Sequence, residues 1–83
     1  MTTANLSTLF SFQTFHPVAW ETFERVSPDV TVTGFEFSQD RGSFILTDGN
    51  NLTHSFRLYR EKIVALVSPN GNFAFVDGNA VLL

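Results

Sequence analysis

The 83-residue chain contains no cysteine. That excludes a disulfide framework, a Cys-ligated zinc site and a thiol nucleophile, and it fits a reducing, cytoplasmic compartment. Charge is scarce as well. Charged residues make up 16% of the chain against the usual quarter, and there is one lysine, Lys62. The formal charge of −3 argues against a non-specific nucleic-acid binder, whose affinity comes mainly from neutralising phosphates. No apolar run approaches the roughly 20 residues of a membrane span, so no membrane partner is expected. The first 15 residues are apolar but carry no basic residue and no small-residue cleavage site, and they read as mature sequence.

Chemistry is equally sparse. No glycine-rich phosphate loop or nucleophile-elbow sequence occurs. The two histidines, His16 and His54, lie far apart in sequence, and no carboxylate spacing makes a metal site with either. His54 falls on the apolar side of its strand, where a buried, hydrogen-bonded, neutral imidazole is expected. His16 precedes Pro17 and reads as a helix-start residue. The stretches Asp48-Gly49-Asn50-Asn51 and Asp77-Gly78-Asn79 superficially resemble calcium loops. A calcium loop counted from Asp48 would need glutamate at its twelfth position, where Tyr59 stands, so both read as hairpin turns. The expectation is a protein that is not an enzyme and has no cofactor and no metal.

What is abundant is phenylalanine: ten residues of the 83. A domain this small buries about 60–65% of its unfolded surface, and each Phe needs roughly 150–250 Å² of cover. Ten are hard to hide in one small monomer. Some aromatic surface should therefore be covered by another chain, a target or a second copy.

Periodicity divides the chain in two. Residues 1–16 form an apolar N-terminal arm or short helix, with Leu6, Leu9 and Phe10 at helical spacing. Residues 17–27 hold a helix of about 17–26: Pro17 suits its first position, and Ala19, Phe23 and Val26 make one apolar stripe. Ser27-Pro28 ends it. From 29 to 83 the pattern has period two. Strands are expected at Val30–Ser38, Ser43–Thr47, Leu52–Tyr59, Ile63–Val67, Asn72–Val76 and Asn79–Leu83, joined by short turns that impose antiparallel pairing.

Gly34 interrupts the first strand. Val30 and Val32 share one parity, while Phe35 and Phe37 have the other. A bulge at Gly34 would return Phe35 or Phe37 to the face of the valines and bend the strand sharply. The expected fold is α+β in a single domain: a short helix packed on a strongly bent antiparallel meander of five to six strands, half-barrel in shape.

Two surfaces could bind a partner. One is the aromatic arm and helix, with Phe10, Phe12, Phe15 and Trp20. The other is the cationic corner of Arg57, Tyr59, Arg60 and Lys62, residue types enriched in interfaces and in single-strand binding. The stretch Leu58–Pro69 somewhat resembles the segment between the last two strands of the bacterial Sm-like RNA chaperone, matching at Tyr59, Arg60 and Ile63. Glu61 stands where that family has its RNA-contacting histidine, and two further strands follow where that family ends. The resemblance implies a helix followed by bent strands, and an RNA-binding reading.

Three functions follow in order. The first is a small acidic protein-interaction module, an adaptor or an inhibitor of a larger partner, of the kind that phages direct against host defences. The second is a homo-oligomeric assembly protein. The third is an Sm-like RNA binder.

Overall fold

The computed structural model describes residues 6–83, and the start of the expected arm lies outside them. Two helices, α1 (Leu6–Phe15) and α2 (Pro17–Val26), precede six strands. These are β1 (Val32–Ser38), β2 (Ser43–Asp48), β3 (Thr53–Tyr59), β4 (Lys62–Ser68), β5 (Gly71–Val76) and β6 (Asn79–Leu82). Each strand pairs antiparallel with the next, so the sheet is an open meander ordered β1 to β6. The α+β architecture read from the pattern is the one observed, with α2 on its expected residues and α1 a full helix. No helix among the described residues is long and apolar enough to cross a membrane.

Both helices lie on one face of the sheet. Aligned across five strands on that face are Phe37, Phe44, Phe56, Leu66 and Phe73, each opposite the next in the register. Phe56 and Leu66 are fully buried. Phe12 of α1 and Phe23 of α2 descend onto Phe56, with ring centroids at 4.6 and 6.0 Å. Edge contacts of Phe12 with Phe35 (5.2 Å) and Phe44 (5.0 Å) knit α1 to the first two strands. Each such pair contributes about 0.5–1.5 kcal/mol beyond its buried area. Phe12, expected at a partner surface, is instead at the centre of the core and is covered on all sides.

The bulge anticipated at Gly34 is present. Val32 pairs with Asp48 and Gly34 with Thr47, leaving Thr33 as the extra residue. Its hydroxyl donates to the carbonyls of Thr47 (3.2 Å) and Asp48 (3.1 Å). Val32 and Phe35 thereby both pack on the core.

Asp48, at the end of β2, is where these elements meet. Its Oδ1 accepts the amides of Asn50 (2.8 Å) and Leu52 (3.1 Å), closing the β2–β3 turn. Its Oδ2 lies 2.9 Å from Nε2 of His54, and both side chains are buried. The His54 ring stands edge-on to Phe23, and its Nδ1 has no partner among the described residues. His54 is thus buried and hydrogen-bonded, as its strand parity implies. The hydrogen bond from His54 holds the Asp48 carboxyl below its ordinary value, helped by the two backbone amides and opposed by burial.

Two outcomes follow from this frame. Deleting Thr33 leaves β1 in continuous register with the same residues inward, so the fold survives at a cost of about 1–2 kcal/mol for the lost hydroxyl bonds. Deleting Ser55 turns one end of β3 inside out and abolishes cooperative unfolding; urea titration of both variants separates the two. For Asp48, a carboxyl depressed on folding stabilises above its unfolded value of about 3.8 and loses that contribution as pH falls through the folded value. Asp48→Asn should therefore be less stable at neutral pH, and its melting temperature should fall less steeply below about pH 4 than that of the parent.

Candidate binding groove

The groove begins at a covalent constraint. His16 precedes a proline, which bars it from the helical region, and it adopts φ −133°, ψ 60°. α1 ends there and α2 begins on Pro17, whose missing amide costs nothing at a first helical position. The His16 amide still donates to the Phe12 carbonyl (2.8 Å), and its own carbonyl accepts from Trp20 (3.1 Å). The chain therefore turns a rigid elbow, and the elbow throws Phe15 outward, 77% exposed.

Facing the elbow is the end of the sheet where the β1–β2 and β3–β4 turns lie. Phe15, His16, Phe37, Phe44, Leu58 and Glu61 line a shallow, open groove of about 530 Å³. On the other side of Phe15 and His16 it continues as a second lobe of about 460 Å³, walled by Pro17, Val18, Ile63, Val64 and Phe75 with Glu61, Lys62 and Asp77 at the rim. Both volumes lie in the range of ligand-sized sites. Phe37, 48% exposed, leans on Phe44 with centroids 5.1 Å apart. His16 sits 5.1 Å from the Phe12 ring and 6.1 Å from Phe44, and burial lowers its pKa from 6.5, favouring the neutral imidazole at pH 7.

The rim is built from unusual backbone. Arg60 and Glu61 form the two-residue β3–β4 turn, and both have positive φ, 51° and 67°, without glycine at either position. Two-residue hairpin turns demand that conformation and normally use Asn or Gly there. Each side chain held in it costs of order 1 kcal/mol, the kind of strain that collects at functional sites.

The residues singled out for partner binding do not converge. Lys62 reaches the groove. Arg57 and Tyr59 alternate with the buried His54 and Phe56 and so occupy the face turned away from the helices. The Arg60 guanidinium lies 5.3 Å from the centroid of the Tyr59 ring. Trp20 is half-buried against Phe12 and Phe23. Phe37, Phe44 and Leu58, which carry the groove, were missed as a site. Part of their signal was present, since Phe37 has the parity of Phe35 and Phe44 lies across the β1–β2 turn from it.

Among the described residues no three His, Asp or Glu side chains gather where a metal could bind. The Asp48–His54 pair is buried, and it shapes the β2–β3 turn. Comparison with protein-family models, with curated proteins and with solved structures returns no match.

Replacing Phe15 by Ser should change unfolding free energy by no more than about 0.5 kcal/mol, because the ring is largely in solvent already. The same variant should lose most of the fluorescence enhancement of an environment-sensitive apolar dye. Unchanged dye binding would place the apolar surface elsewhere.

Proposed function

We propose that the chain is a small, non-enzymatic protein-interaction module whose elbow groove receives an apolar anchor from a larger partner, as an adaptor or inhibitor does. The observation that carries this reading is the pairing of exposed Phe15 and Phe37 along an open, aromatic-walled groove. Surface aromatics bury area at small entropic cost, and interfaces concentrate them for that reason. The groove is preorganised by Pro17 and by the strained Arg60–Glu61 turn, so little ordering cost remains for binding. Its rim holds Glu61 and Asp77 against Lys62, a mixed set that favours a polypeptide with both polar and apolar groups over a polyanion.

RNA binding receives less support. Arg60 already lies near the Tyr59 ring on which a base would stack, and the net charge is −3.

A photo-crosslinking amino acid placed at Phe37 should give one discrete adduct in cells that express the protein's natural partners. The same group at Val67, on the opposite sheet face, should not. Equal labelling from both positions, or none from Phe37, removes the groove as the binding surface.

A further inference from the structure

The two edges of the sheet are treated differently. β1 carries the Thr33 bulge and the charged Glu36, and α1 packs against it. Bulges, charges and covering elements are what natural sheets use to stop an edge from pairing with another strand. β6 has neither a bulge nor a charge; α2 packs on it from the helix side, and the outward backbone edge carries no strand. Its sequence, Asn-Ala-Val-Leu, is uncharged and free of proline, and Leu82 is 67% exposed.

The direction of its free groups is determined by the hairpin. Leu83 donates its amide to the Asn72 carbonyl (2.9 Å), so Leu83, Val81 and Asn79 bond inward to β5. Ala80 and Leu82, at alternate positions, turn an amide and a carbonyl each toward the open edge. This set is self-complementary. We infer that the edge takes the β6 strand of a second copy, antiparallel, about a two-fold axis through Val81.

In that register Ala80 of each copy exchanges two hydrogen bonds with Leu82 of the other, four in all, and Val81 meets Val81 on the axis. The side chains agree with the backbone. Ala80 borders a cleft of about 210 Å³ between α2 and β6, with Val18 and Thr22 on its helix side. Leu82, large and exposed, would stand opposite Ala80 of the second copy and so beside that copy's cleft.

Charge is complementary in the same sense. Glu21 and Arg25 line the cleft from α2, and among the described residues neither has an ion-pair partner. A two-fold axis sets the two α2 helices antiparallel across the joint, directing Glu21 of one copy toward Arg25 of the other. The occupant is therefore a second copy of this chain. The pairing itself uses the outward groups of Ala80 and Leu82, which do not line the elbow groove, although Val18 and Gly78 border both the groove and the cleft.

Sedimentation velocity of the full chain over a concentration series should show a reversible dimer. Leu82→Pro, which removes an outward amide and leaves the inward ladder intact, should weaken it by at least about tenfold. Glu21→Arg and Arg25→Glu, both on an exposed helix face, should each weaken the dimer, and combining them should restore it. Hydrogen exchange should show the Ala80 and Leu82 amides protected in the parent and the remaining Ala80 amide fast in Leu82→Pro. A parent that stays monomeric, or a charge exchange that fails to restore association, overturns the proposal. So does fast exchange of both amides in the parent at high concentration.

Discussion

One carboxylate holds the frame of this protein together. Asp48 ends β2, closes the β2–β3 turn through the Asn50 and Leu52 amides, and anchors His54 at the floor of α2. Its backbone carbonyl also takes the Thr33 hydroxyl, which steadies the bulge in β1. Three strands and one helix are thus tied to a group that burial alone would disfavour as an anion. The hydrogen bonds outweigh that penalty, which is why the carboxyl is depressed despite its buried position.

The second constraint is the His16–Pro17 elbow. Without it, α1 and α2 would tend toward one long helix whose stripe could not follow a curved sheet. With it, Phe12 and Phe23 reach the same Phe56 from two directions, and Phe15 is left outside. The phenylalanine surplus divides accordingly. Phe12, Phe23, Phe35 and Phe56 make the core, while Phe10, Phe15 and Phe37 remain at the surface, as expected of a domain too small to cover all ten.

The groove and the β6 edge are the two places where apolar surface or unpaired backbone is left open by that limited size. A small domain has few ways to bury its remaining apolar surface, and another chain is the cheapest. A symmetric pairing at β6 would give an assembly with two elbow grooves. Two grooves on one rigid body favour a partner that presents repeated sites, since the second contact then forms without a second diffusional search.

Much of this was legible in the residues themselves. Pro17 and Pro28 bracketed α2, the period-two pattern marked the strands, and the parity break at Gly34 announced the bulge, because each rests on local backbone sterics or alternation. The parity of His54 likewise implied its burial. Phe12 and Phe15 show where that reasoning stops. Both are apolar residues of the same helix, three apart, yet one lies at the centre of the core and the other in solvent. The difference comes from the elbow angle and from Phe44 and Phe56, which rise beneath one ring only. The meeting of Asp48 with His54 and the groove between Phe15 and Phe37 are of the same kind. They depend on which strand lies beside which, and in what register. Sequence determined the elements and their inward faces, since those follow from neighbours a few residues apart. Tertiary structure alone decided which aromatics are covered, because cover comes from residues distant in the chain.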